Sequence, residues 1–164
     1  MAASQSSSDW QEAPISVSPR KNQLPKALRR EPAAGDAPSG DVAELLSLSK
    51  QLLESIDSQD WQTYAKLCHD SLTAFEPEAR GQLVEGLQFH RFYFELNSSA
   101  KRSSSICSPQ VRVMGDVALV NYSRLVQVSD SSGIRTNAFE ETRVWQQIDG
   151  EWQHVHFHRS PPAT

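Results

Sequence analysis

Arg124 falls within the alternating stretch Ala118, Val120, Tyr122, Val126 and Val128, so a strand there would place it on their shared, apolar face. A guanidinium on such a face needs an anionic or acceptor partner. Arg143 lies in the following alternating stretch and joins that face if the connection at 129–133 leaves an even number of unpaired residues. His90 shares a helical stripe with Leu83, Leu87 and Phe94, which would pack against the same sheet. Together these three residues could line a cleft for a small carboxylate or another anion, with arginine supplying bidentate recognition. The competing arrangement satisfies the arginines internally, with Glu76, Glu95, Glu140 and Glu141 available, and leaves His90 as a satisfied core histidine. On residue types alone the second arrangement is the commoner one.

Other groups carry weaker signals. His154, His156 and His158 alternate along one predicted strand and so would share a face. Two of them and a third ligand could hold zinc, but no Cys or acid stands ready, and ordinary packing is the stronger expectation: no metal and no cofactor are expected. Cys68 and Cys107 form no redox or metal motif and read as free thiols. The chain shows no Gly-rich phosphate loop, no His-Arg-Asp or Asp-Phe-Gly segment and no Gly-x-Ser-x-Gly elbow, so it is not itself a kinase.

The elements that must position these residues are legible from periodicity. Asp41, with Glu44 three residues on, can cap a helix over about 42–57 bearing Leu45, Leu48, Leu52 and Ile56. Asp60 can cap a short second helix through Trp61, Tyr64 and Leu67; an extended piece follows at 72–75, stopped by Pro77. A third helix is predicted over about 83–96, with Phe89, Phe92 and Leu96 on a second apolar stripe, so that little of it faces water. From Ile106 the period becomes two, predicting strands at 106–114, 117–128, 136–148 and 151–159. Turns fall at Gly115-Asp116, Ser129–Gly133 and Asp149-Gly150. This is an α+β layout with helices packed on one face of an antiparallel sheet. The second face also carries Val117, Leu119 and Leu125, and the last strand shows Trp152 on one face with Val155 and Phe157 on the other. Helices can cover only one face, so other subunits are expected on part of the second.

Composition divides the chain. Residues 1–40 hold five of the nine prolines and seven serines, and read as a disordered tail. Its basic stretch, Arg20 to Arg30, lacks apolar anchors at helical spacing and reads as a solvated linker rather than a calmodulin-target helix. Residues 41–160 form the folded domain and 161–164 a short C-terminal tail. Residues 41–164 carry eleven basic and sixteen acidic side chains, which argues against a nucleic-acid partner. No apolar run approaches membrane-spanning length and no secretory signal is visible, so a cytoplasmic location is expected.

Several long strings then stand out. They are Leu72-Thr73-Ala74-Phe75-Glu76-Pro77-Glu78-Ala79, Leu83-Val84-Glu85-Gly86 and Phe89-His90-Arg91-Phe92-Tyr93-Phe94-Glu95, followed by Glu140-Glu141-Thr142-Arg143-Val144-Trp145 and the run Asp149 to Arg159. In this order, across about 42–160, they resemble the association (hub) domain of calcium/calmodulin-dependent protein kinase II, here standing without a kinase. The resemblance implies a cone-shaped, curved antiparallel sheet wrapped around a long helix, similar to nuclear transport factor 2. It implies an oligomerisation scaffold, a closed homo-oligomer of two stacked rings with about six or seven or more subunits each, with a kinase of the calcium/calmodulin-dependent family as a possible partner. It also implies an arginine-lined cavity for small carboxylates such as γ-hydroxybutyrate, formed here by His90, Arg124, Arg143 and, by resemblance alone, Arg159. A two-residue turn at Asp149-Gly150 sets Arg159 opposite Glu140 and on the other face from Arg143, so a β-bulge is required to bring both into one cavity. The segment from Glu95 to Pro109 is shorter than in that family and serine-rich. The same cone fold hosts isomerases, cyclases and dehydratases; such an enzyme, with Glu76 or His90 as base, is the alternative function.

Overall fold

The computed structural model describes residues 40–96 and 99–162. The predicted tail, apart from its last residue, lies outside them. Helix α1 (Gly40–Asp57) begins two residues earlier than expected, which puts Asp41 inside its first turn. Its inward stripe is Leu45, Ser49, Leu52 and Leu53, and the helix packs on the sheet. Asp60 caps α2 (Trp61–Leu67): its Oδ1 accepts from the Thr63 backbone N–H at 3.1 Å. The chain then passes at Cys68 straight into β1 (Cys68–Phe75), four residues longer at its start than predicted.

The third predicted helix is where local periodicity misleads. Val84–Glu85 form a short strand, β2, antiparallel to β1, with Ala74 facing Val84 and Thr73 facing Glu85. Gly86 (φ 74°) turns the chain, and its N–H donates to the Leu72 carbonyl at 2.7 Å. The helix α3 is therefore only Gln88–Glu95. Strand pairing, a long-range interaction, overrides an apolar spacing that suits a helix equally well. The short helix is also less covered than predicted: Phe92 is 60% exposed and Leu96 45%.

Strands β3 (Lys101–Met114), β4 (Val117–Asp130), β5 (Gly133–Ile148) and β6 (Glu151–Ser160) form consecutive antiparallel hairpins. β3 starts five residues earlier than its periodicity implied, so the serine-rich segment pairs with β4. The sheet order is β2-β1-β6-β5-β4-β3, and β1 runs parallel to β6, which makes the sheet mixed where an antiparallel one was expected. Only two residues, Ser131 and Ser132, lie between β4 and β5, the even number that sets Arg143 on the face of Arg124. The inner face holds α1 against a core of Leu45, Leu52, Leu72, Ala118, Val120, Trp145 and Phe157. Val117, Leu119 and the 36%-exposed Leu125 stand on the outer face.

The register of β6 contains the required bulge. Trp145 faces His154 but Val144 faces His156, so Val155 is an extra residue. Beyond it the faces exchange: Trp152, His154, Phe157 and Arg159 all belong to the inner face, whereas His156 and His158 point outward. Phe157 thus lies on the face of Trp152, not opposite to it as predicted. The three histidines do not share a face, which removes the geometry of a zinc site. No helix among the described residues is long and apolar enough to cross a membrane.

Gly86→Ala tests the turn before α3. An L side chain at positive φ costs about 1–2 kcal/mol, while the added Cβ meets only Asp70 O at 3.6 Å. Denaturant unfolding is expected to show a loss of that size without loss of secondary structure by circular dichroism.

Candidate functional site: an arginine-lined cavity

The inner face and the helices enclose a cavity of about 480 Å³ bordered by His90, Arg124, Arg143 and Arg159. All four residues singled out from the sequence therefore meet. The hairpin register brings Arg124 and Arg143, α3 brings His90, and the Val155 bulge brings Arg159 opposite Glu141. Arg102 and Arg135 also line it, and the sequence reading missed both. Arg102 was hidden because its segment has no β-type alternation of its own; it becomes strand only by pairing with β4.

The floor is built around the buried Glu141 carboxylate. Arg143 Nη2 and Nε reach its Oε2 at 2.7 and 3.1 Å, and the Tyr122 hydroxyl donates to the same oxygen at 2.8 Å. Arg124 Nη1 reaches Oε1 at 3.4 Å. Burial alone would raise the Glu141 carboxyl, but Arg143, Arg124 and the Tyr122 hydroxyl outweigh it and bring the pKa down to about 2. Arg124 extends outward to Asp57 Oδ1 at 3.2 Å and Ser104 Oγ at 2.9 Å, and Asp57 in turn accepts from the Ser104 N–H at 2.6 Å. The last residue of α1 is thereby tied to β3 and β4.

Arg143 is held on every side. Phe157 lies under its guanidinium at 4.9 Å, and Nη1 stands 3.3 Å from His154 Nε2. An arginine can only donate, so Nε2 is the acceptor and the His154 proton sits on Nδ1, directed at Cys68 Sγ at 3.5 Å. Burial, and then the Arg143 charge, push His154 well below the usual histidine range, which keeps it neutral. Burial also pushes the Cys68 thiol up to about 12, so it is no nucleophile at neutral pH.

Nearer the opening, Arg159 Nη2 reaches Glu76 Oε2 at 3.1 Å and also pairs with Glu78, and its guanidinium covers the Phe139 ring. Burial acts to raise the Glu76 carboxyl, yet His90 and Arg159 hold it below the usual carboxylate range. His90 Nε2 stands 3.2 Å from Glu76 Oε1, close enough for attraction but off the hydrogen-bonding direction. Both ring nitrogens of this 5%-exposed histidine are without a hydrogen-bond partner.

Of the two arrangements open at the sequence level, internal pairing is visible for part of the set. Arg124 and Arg143 are matched by Glu141 and Asp57, as an internal-pairing arrangement requires. Glu140 lies on the outer face and Glu95 pairs with Arg91 on the surface, so neither serves the cavity. Arg159 is shared with the half-exposed Glu78, and Arg102 makes no ion pair among the described residues. Among these residues no three His, Cys, Asp or Glu side chains converge as a metal site.

The family described as "Calcium/calmodulin dependent protein kinase II association domain" matches residues 41–163. The delta subunit of calcium/calmodulin-dependent protein kinase type II from Oryctolagus cuniculus is 50% identical over 126 residues, covering 74% of this chain but 24% of that protein. The chain therefore spans about a quarter of that relative's length. The kinase II hub homology domain from Chlamydomonas reinhardtii superposes with a TM-score of 0.71 at 43% identity, covering 75% of this chain and 99% of that one. A putative dehydratase from the NTF2-like family of Streptomyces avermitilis superposes with a TM-score of 0.67 at 17% identity, covering 78% of this chain and 100% of that one, a likeness of fold alone.

The Glu141 cluster sets an acid limit to stability. The folded carboxyl titrates near pH 2 against an ordinary value of 4.5, so its contribution is complete above about pH 4.5 and is lost as pH falls toward 2. Glu141→Gln leaves Arg143 uncompensated and is expected to cost about 3–5 kcal/mol at neutral pH. Unfolding measured from pH 2 to 7 should show that loss together with a flatter acid limb.

Proposed function

Because this chain belongs to the calcium/calmodulin-dependent protein kinase II association-domain family, we propose that it works as an oligomerisation module, building a closed homo-oligomer of two stacked rings of about six or seven subunits each. The observation that carries this reading is the uncovered apolar surface of the single chain. Phe92, Leu83, Leu96 and Phe89 are exposed on and around α3, and Phe75, Leu125 and Met114 elsewhere. Exposed apolar side chains of this size are what an assembly interface covers. A kinase of the calcium/calmodulin-dependent family would join by contributing the same domain to the ring.

The cavity, in this reading, receives a small carboxylate. Its donors are Arg159 and His90, with Arg143, stacked on Phe157, and Arg124 as a rigid positive backing. For the enzymatic alternative on the same fold, one of the two candidate bases, Glu76, is held between His90 and Arg159 and is depressed, the reverse of what proton abstraction needs.

Native mass measurement at micromolar concentration is expected to show an assembly of more than ten subunits, and Phe92→Asp is expected to reduce it to small species. A monomer or simple dimer for the unsubstituted chain overturns the reading. For the cavity, a carboxylate at a hundredfold its Kd adds about 2.7 kcal/mol by mass action, seen as a rise in melting temperature against a salt-matched control. Arg159→Gln should abolish that rise. Arg143→Gln is the poorer probe because it unpairs Glu141.

A further inference from the structure

The cavity is not uniform from floor to mouth. Strand register orders its lining: Arg159 stands in the Glu141 row, Phe139 in the Arg124 row, Val126 two residues further along β4, and Arg102 and Arg135 in the Val128 row at the mouth. The two mouth arginines are placed by register. Arg102 of β3 and Arg135 of β5 both face Val128 of β4, so three strands present one inner-face row with a cation on either side of a buried valine. Arg135 is paired with Asp130 Oδ2 at 2.6 Å. Arg102 is exposed and has no ion pair among the described residues.

We propose that the cavity takes an elongated dianion, an α,ω-dicarboxylate with an apolar middle. Its inner carboxylate lies at Arg159 and His90, its chain against Val126 and Phe139, and its outer carboxylate at Arg102 and Arg135. This rests on the carboxylate reading of the cavity and adds the ligand class. Two observations point the same way independently. The buried His90 ring at the inner end has Nδ1 without a hydrogen-bond partner and Nε2 in contact only with Glu76 Oε1 at 3.2 Å, where a polar group pays a desolvation cost unless something bonds it. Arg102 is the uncommitted cation at the outer end. The Arg159 guanidinium lies over Phe139, in the Arg124 row. From that row to the Val128 row is four residues of β4, roughly 13 Å of strand, and the long arginine stems at the mouth shorten the span left to the ligand. A monocarboxylate leaves one end of this arrangement unused. A dianion whose middle is polar would bury unpaired groups against Val126 and Phe139.

The test uses the full chain in its native assembly and isothermal titration with adipate and suberate, each against the monocarboxylate of equal length, hexanoate and octanoate, at constant ionic strength. The dicarboxylate is expected to bind roughly three- to tenfold more tightly, the effect of one further partly exposed charge pair. Arg102→Gln, a change at an exposed residue, should remove that advantage while leaving monocarboxylate binding unaltered. Equal binding of both classes to the unsubstituted chain, or an advantage that survives Arg102→Gln, overturns the inference while leaving a carboxylate site intact. Binding of neither class overturns the carboxylate reading beneath it.

Discussion

A carboxylate with its charge intact cannot lie at the centre of a sheet face unless cations come with it, and the Glu141 side chain sets that condition for the whole inner surface. Arg143 and Arg124 supply the charge, the Tyr122 hydroxyl supplies a further donor, and Arg124 carries the network on to Asp57 and Ser104. The result joins β4 and β5 to each other and both to the end of α1. Asp57 stands in the last turn of its helix, where the helix dipole disfavours an acid. The Arg124 guanidinium and the Ser104 donors offset that disfavour, so the position makes sense only in the folded sheet.

The same network decides what the cavity can do. Buried ion pairs contribute little net stability when complete and cost much when halved, which makes the floor rigid and poorly available to a ligand. Side-chain freedom rises from the locked Arg143, through Arg159, to Arg102, which makes no ion pair among the described residues. The Glu76 carboxylate at the side of the cavity is committed to His90 and Arg159.

The Val155 bulge links fold to site. One extra residue in β6 lets a single strand place Trp152 and His154 on the inner face, and then return Phe157 and Arg159 to the same face after what would otherwise be an odd step. It separates His154, whose neutral ring steadies Arg143, from His156, which bonds Thr73 on the outer face. Bulges gather where a strand must re-aim a side chain, and here the re-aimed residue is Arg159.

Local sequence determined most of the elements, because capping carboxylates, alternation and turn pairs act over a few residues. Asp60 before α2, the turns at Gly115-Asp116 and Asp149-Gly150, and the strand parity that turned Arg124 inward were legible for this reason. Family resemblance carried the assignment of Arg159, whose face the simple hairpin register had wrong. Tertiary structure alone decided the rest: the strand at Val84–Glu85 inside a helix-like spacing, the parallel pairing of β1 with β6, the conversion of the serine-rich segment to β3 with Arg102 inside it, and the choice of Asp57 and Glu78 as arginine partners. Each of these depends on which segments meet across the sheet. A backbone hydrogen bond or an ion pair to a residue far along the chain leaves no periodic trace at either end, so it exists as information only once the chain has folded.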